Sequence, residues 1–266
     1  MKILMCTPDY YGIEYEINPW MSVDVNADRD KANGQWKELY NILTGRMGIT
    51  VDLVDPVKGL PDMVFTANAG LIQNDIFISA NFRYHERKEE EKYFINWFQS
   101  SGYNIVEPAI DVLFEGEGDM LVSGNALFGG YRFRSDIKSH EWIGGILDKE
   151  VLSLELTDPR FYHLDTCFCP LPGGEVIYYP AAFDRYAISV INDFFPESKR
   201  IEVIQTEAAK FACNAVAVND KVVTNAGCDK LKIDLEKMGY SVFQTELSEF
   251  IKAGGSAKCL TLIIKR

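Results

Sequence analysis

The sequence has no run of uncharged residues approaching the ~18 needed to cross a membrane, and its opening "MKILMCTPDYY" lacks the long apolar segment of a signal peptide. A membrane partner is not expected, and the cytoplasm is the default location. Positive charge is also scarce: 27 Lys and Arg stand against 39 Asp and Glu, a formal net charge of −12. Nucleic acid and anionic membranes need a cationic face, so neither is expected as partner, whereas a cationic small molecule suits this balance. Six cysteines (Cys6, Cys167, Cys169, Cys213, Cys228, Cys259) are too few in 266 residues for a disulfide framework, so reduced thiols are expected. Only three histidines are present, and the C-x-C pair Cys167/Cys169 alone is a poor zinc signal, so no metal is expected. "GGYRF" and "GGSAK" lack the spacing of a phosphate loop.

What the chain does have is a hidden repeat. No low-complexity tract or Pro/Gly/Ser linker divides it, and 47% hydrophobic content supports a sizeable core, so residues 1–266 read as one domain. A unit of about fifty residues recurs: a polar loop, two short apolar strands joined by a turn, an amphipathic helix and another strand. The hairpins read "FTANAGLIQNDIFISAN", "GDMLVSGNALFGGY", "HLDTCFCPLPGGEVIYYP" and "FACNAVAVNDKVVTNAG", each with an Asn, Asp or Gly cluster at its turn. Helices are predicted at 86–101, 135–148, 184–195 and 228–238, followed by "NIVEP", "VLSLEL", "RIEVI" and "YSVFQT" as strands. The run "KEEEK" reads as a solvated helix face. A fifth unit begins at Cys259 with "CLTLIIKR", and "KILMCTP" at the N-terminus can supply its missing strand, followed by a helix near 30–47 and the strand "TVDLVDP". Joining the ends closes a ring of five.

The spacing locates a site. Asn68, Asp119, His163, Asn214 and Cys259 are separated by 51, 44, 51 and 45 residues, each at the start of a hairpin. In a radial repeat such positions converge on one end of the axis. There lie Asn68, the carboxylates of "FEGEGD", His163 and Asp165 of "HLD", and Cys259. A thiol is a strong nucleophile once deprotonated, and an imidazole can pass protons to and from the reacting group. Glu115 and Asp165 beside the sulfur would disfavour the thiolate of a protease, but they suit a substrate that brings its own positive charge. A planar guanidinium offers five donors that carboxylates can grip from either side, leaving Cys259 to face its central carbon.

"HLDT", "FEGEGD", "GGSAKC" and the fivefold repeat resemble the guanidine-modifying superfamily: arginine deiminases, dimethylarginine hydrolases and amidinotransferases. The resemblance covers essentially the whole chain. It implies an α/β pentein fold, a five-bladed propeller of ββαβ repeats with pseudo-fivefold symmetry, and cofactor-independent amidine hydrolysis. "YEINPWM", "PDMVFTANAG", "FRYHERKEEE" and "GYRFRSD" look most like the arginine dihydrolases, which take arginine to ornithine, carbon dioxide and two ammonia. Carried over, the resemblance makes Cys259 the nucleophile, His163 the general acid/base, and Glu115 and Asp165 the guanidinium ligands, with Glu115 preferred to Glu117 as the first acid of the family's E-G-x-G-D motif. Arg87 and Arg134 resemble the arginines that bind an α-carboxylate, and Asn18 of "INPW" a loop contact.

Asn68 departs from the acid found at the matching position in deiminases and dimethylarginine hydrolases. Once one ammonia has left, the bound group is a neutral ureido, to whose carbonyl an amide can donate and a carboxylate cannot. Asn68 is therefore expected to retain the intermediate for a second attack. The alternatives are a hydrolase that stops at citrulline, an amidinotransferase, and a non-catalytic binding protein, since the same fold also resembles a ribosome anti-association factor. Further expectations are that His85 and His140 are exposed, that Trp20 serves the core or lines a pocket, that Cys259 begins a strand, and that Gly254 and Gly255 form a flexible approach to it. No domain is expected after Arg266, and a homo-oligomer is left open.

Overall fold

The computed structural model describes residues 1–265. The chain opens with β1 (Lys2–Cys6), α1 (Arg29–Asn41) with a π-helical extension over Ile42–Arg46, and β2 (Thr50–Val54). The first complete unit is β3 (Gly70–Gln73), β4 (Ile76–Ser79), α2 (His85–Ser100) and β5 (Asn104–Val106). The second is β6 (Met120–Ser123), β7 (Ala126–Tyr131), α3 (Lys138–Leu147) and β8 (Val151–Glu155). The third is β9 (Phe168–Pro170), β10 (Val176–Tyr178), α4 (Arg185–Phe194) and β11 (Arg200–Glu202). After a one-turn α5 (Gln205–Ala208), the fourth is β12 (Val216–Val218), β13 (Lys221–Asn225), α6 (Asp229–Lys237) and β14 (Ser241–Thr245). A short α7 (Ser248–Ile251) leads to β15 (Leu262–Lys265).

Each sheet has three strands, and each repeats one pattern: an antiparallel hairpin, then a parallel strand brought in by a crossover helix. The fifth sheet takes the same form across the chain ends. β15 pairs antiparallel with β1 through Leu4–Leu262 and Ile3–Ile263, and β1 pairs parallel with β2. The last strand thus supplies what the first unit lacks, and the ring of five α/β blades closes as expected. "CLTLIIKR" ends in Arg266, which lies outside the described residues.

Local chemistry accounts for the elements. Asn74, Gly124 and Asn219 take left-handed φ of 57°, 58° and 52°, as two-residue hairpin turns require. Asp28 and Asp184 cap α1 and α4 by accepting from Lys31 N and Ala187 N. Large side chains fill the space within and between blades: Phe77 of β4 stacks on Phe98 of α2 with centroids 3.9 Å apart, and Phe128 packs against Phe168 and Phe195 of the next unit.

The structure corrects four local expectations. Cys259 does not start a strand; it lies in an irregular turn, and β15 begins at Leu262. Gly254 and Gly255 are not a flexible approach. They are buried, Gly254 O accepts from Tyr162 Oη, and a Cβ on Gly255 would run into the Phe65 ring. Glu90, inside "KEEEK", is fully buried because its turn of α2 faces Arg87 and the sheet. His140 is buried as well, its ring held by Ser153 Oγ at 2.8 Å and Gly130 O at 3.2 Å, and burial pushes it down to about 4. His85 is exposed, as expected.

Candidate active site

Five irregular segments precede the hairpins, and their contacts run around the ring. A Cβ on Gly116 would lie 2.6 Å from Ala67 O, Asp119 Oδ1 accepts from Leu164 N at 3.1 Å, and Asn214 Nδ2 donates to Asp165 O at 3.0 Å. Asn214 Nδ2 also reaches Cys259 Sγ at 3.1 Å, and Cys259 O accepts from Ala67 N at 3.1 Å. Positions some fifty residues apart in sequence therefore meet around one axis. All five of the repeat-equivalent side chains are buried.

On one side of the axis, His163 Nε2 donates to Glu115 Oε2 at 2.8 Å, and the same oxygen accepts from Arg134 Nη1 at 2.9 Å. Burial pushes Glu115 up, but Arg134 and His163 more than offset it and hold the carboxyl below the ordinary range. Asn68 lies 3.5 Å from His163 Nδ1 through its Nδ2. Its Oδ1 accepts from Arg87 Nη1 at 2.8 Å, which fixes the amide with its NH₂ toward the imidazole. Gly118 makes this approach possible, because a Cβ there would overlap Asn68 Nδ2.

On the other side, Cys259 Sγ faces Asp165 Oδ2 at 3.3 Å. Burial, and then the Asp165 carboxylate, push the thiol well above its ordinary value. Burial also pushes Asp165 up to about 7, with Lys258 as the main opposing charge. Among the described residues, Asp165 Oδ1 has no hydrogen-bond partner although it is buried. A buried acceptor of that kind is a costly feature unless something cationic meets it.

The two glutamates of "EGEGD" part company. Glu117 pairs with Lys258 Nζ at 2.8 Å and accepts from Ile263 N at 3.1 Å. Glu117 and Lys258 line a cavity of about 500 Å³ together with hairpin-turn residues such as Gly124, Gly174 and Asn219, whereas Glu115 faces His163.

The arginines are more committed than the sequence indicates. Arg87 Nε and Nη2 form a bidentate pair with Glu90 at 2.9 and 2.8 Å, and Nη2 also donates to Asp62 O. The remaining Nη1 holds Asn68, so in this structure Arg87 orients an amide from beneath and offers no free fork to a carboxylate. Arg134 sits between the rings of Tyr84 and Tyr162, 4.8 and 4.5 Å from their centroids, and Nη2 donates to Ile17 O. Asn18 Nδ2 donates to Ala253 O, and Trp20 Nε1 to Arg160 O with its ring against Phe211. Residues 13–27 are thereby fastened over the arginine side of the site.

Residues 15–266 match the family described as N,N dimethylarginine dimethylhydrolase, eukaryotic. The chain belongs to this guanidine-modifying family. A dimethylarginine dimethylaminohydrolase of Mycobacterium tuberculosis is 40% identical over 99% of the chain and 85% of its own length. The bifunctional arginine dihydrolase/ornithine cyclodeaminase AgrE of Nostoc sp. is 49% identical over 98% of the chain. This chain spans only 37% of that relative's length. The crystal structure of the N-terminal domain of the cyanobacterial arginine dihydrolase ArgZ, a cysteine-to-serine variant bound to substrate, superposes with a TM-score of 0.95. It is 49% identical, over 98% of this chain and 97% of that one.

Within this dimethylarginine dimethylaminohydrolase family member, five polar residues at the site escaped assignment from sequence. Asp119 accepts from Ser135 N and Leu164 N and is pushed up to about 6 by burial; Asn214 holds Cys259; Lys258 neutralises Glu117; Glu90 and Asp62 surround Arg87. The repeat spacing marks Asp119 and Asn214 as equivalent positions, yet nothing local reveals what they hold. Among the described residues no group of three or more His, Cys, Asp or Glu is arranged to hold a metal ion, and no helix is long and apolar enough to cross a membrane.

Proposed function

We propose that the chain is an arginine dihydrolase, converting free L-arginine and two waters to ornithine, carbon dioxide and two ammonia. The guanidinium lies between Asp165, whose Oδ1 is unpartnered, and Glu115, with Cys259 facing its carbon. The cation stabilises the thiolate beside Asp165, and the thiol proton passes to His163, which carries it to the leaving nitrogen. Sγ attacks the carbon, His163 protonates the departing ammonia, and a thiouronium remains. Water deprotonated by His163 attacks it, the C–S bond breaks, and a ureido group is left. In the second round Sγ attacks the ureido carbon, ammonia leaves, and water releases a carbamate that loses carbon dioxide to give ornithine.

The observation that carries the second round is Asn68. Arg87 occupies its oxygen, so the NH₂ is the end presented toward His163, and it can donate to a ureido carbonyl. Relatives at 49% identity that are named arginine dihydrolases support the same reading. Arg134 and Asn18 are assigned to the α-carboxylate end of the substrate, and Arg87 acts at the guanidinium end by orienting Asn68. Product analysis on arginine, methylarginines, citrulline and agmatine tests the proposal. Two ammonia per arginine with ornithine supports it. One ammonia per arginine with accumulating citrulline overturns it in favour of a hydrolase that stops at citrulline, and release of methylamines from methylarginines instead of ammonia from arginine would point to the chemistry after which the family is named.

A further inference from the structure

Asn214 is fully buried and uses the whole of its side-chain amide. Oδ1 accepts from Lys258 N at 2.9 Å and from Cys259 N at 3.1 Å. Nδ2 donates to Asp165 O at 3.0 Å and to Cys259 Sγ at 3.1 Å. Two backbone N–H groups converge on one end of the amide, so the flip is determined and the NH₂ must face the sulfur. Within the cysteine turn Leu260 N donates to Ser256 O at 3.3 Å and Thr261 N to Lys258 O at 2.9 Å, and the Asn214 bonds tie this turn to the adjacent blade.

From this geometry we infer that Asn214 is a functional residue of the site, fixing the Cys259 sulfur in place and supplying the hydrogen bond that its thiolate needs. The inference rests on Cys259 being the nucleophile of the proposed reaction. A neutral donor to a buried anion is worth more than one to a neutral group, because the alternative is an uncompensated charge. The backbone N–H of Ser256 also favours the thiolate, whereas the other side chains around the sulfur act against it or are engaged elsewhere. Asp165 from the third unit faces it as a carboxylate, and Tyr162 lies near it with its hydroxyl committed to Gly254 O. Lys258 is adjacent in sequence but is spent on Glu117 and Thr261 O, and His163 is held by Glu115. Asn214 is therefore the one side-chain donor to Sγ among the described residues.

The inference separates two ends of one side chain. Asn214→Asp keeps an oxygen for the backbone N–H groups of Lys258 and Cys259 but replaces the donor with a second oxygen facing the sulfur. The assay is iodoacetamide alkylation of the Cys259-bearing peptide, followed by mass spectrometry from neutral to alkaline pH without substrate, alongside circular dichroism. The midpoint should move up by about one unit or more, with alkylation near neutral pH slowed at least about tenfold. A folded Asn214→Asp protein with an unchanged midpoint overturns the inference. If this variant does not fold, Asn214→Ser decides: a raised midpoint supports the inference and an unchanged one overturns it. Alkylation does not depend on turnover, so a shifted midpoint in the variant, found alongside a parent protein that releases no ammonia from arginine, would refute the proposed reaction and leave Asn214 where it is assigned.

Discussion

Replacing Asn68 by Asp changes one atom's chemistry at nearly constant volume. In the structure Oδ1 of this residue accepts from Arg87 Nη1 at 2.8 Å and Nδ2 lies 3.5 Å from His163 Nδ1. An aspartate keeps the first contact and strengthens it as a charge pair, so the fold should tolerate the change. At the other position it turns a donor into an acceptor. A ureido carbonyl that would have accepted from the amide is left buried without a partner, at a cost of about 1–3 kcal/mol. That corresponds to roughly 5- to 150-fold easier loss of the half-reacted substrate relative to a second attack. Citrulline should become the main product, and ammonia per arginine should fall from about two toward one. The assay is chromatographic separation of citrulline and ornithine with enzymatic ammonia determination, on protein of verified fold. If the folded variant still delivers ornithine as completely as the parent, with no citrulline, Asn68 does not retain the intermediate and the reasoning fails.

Two further outcomes follow from buried charges. Lys258→Met should strand Glu117, which is paired at 2.8 Å with both side chains nearly inaccessible, and cost about 3–5 kcal/mol in chemical denaturation. Adding Glu117→Leu should recover most of that loss, and a single variant as stable as the parent would refute the pairing. Asp165 is raised by burial from 3.8 to about 7, so its stabilising contribution is complete below pH 3.8 and is lost as pH rises through about 7. Asp165→Asn should therefore flatten stability against pH between about 4 and 7, where the carboxyl otherwise costs up to about 4 kcal/mol, and an unaltered profile would show that the carboxyl is not buried in this way.

Much of the fold was legible because its signals are short-range. Turn residues such as Asn74, Gly124 and Asn219 occupy left-handed positions that few other residues accept, and they mark the hairpins. Regular spacing then aligned Asn68, Asp119, His163, Asn214 and Cys259 without any knowledge of their contacts. Charge and periodicity misled at Glu90 and His140, which sit in polar stretches yet face inward. Such patterns report the average exposure of a face, whereas a single helix turn against a buried arginine or a strand decides the individual side chain. Arg87 and Arg134 show the same limit: a guanidinium in sequence does not reveal whether its partner is a ligand or an internal carboxylate such as Glu90 or Glu115.

The sequence by itself determined five blades, the closure of the ring through its two ends, and the identities of the groups that meet at the axis, because local turn chemistry and repeat spacing are carried by neighbouring residues. Only the tertiary structure decided that Glu115 faces His163 while Glu117 turns to Lys258, that Arg87 locks the Asn68 amide, and that Asn214 holds the sulfur in a turn. Those outcomes depend on which blade packs beside which, and on the direction each side chain takes when buried polar groups must all find partners.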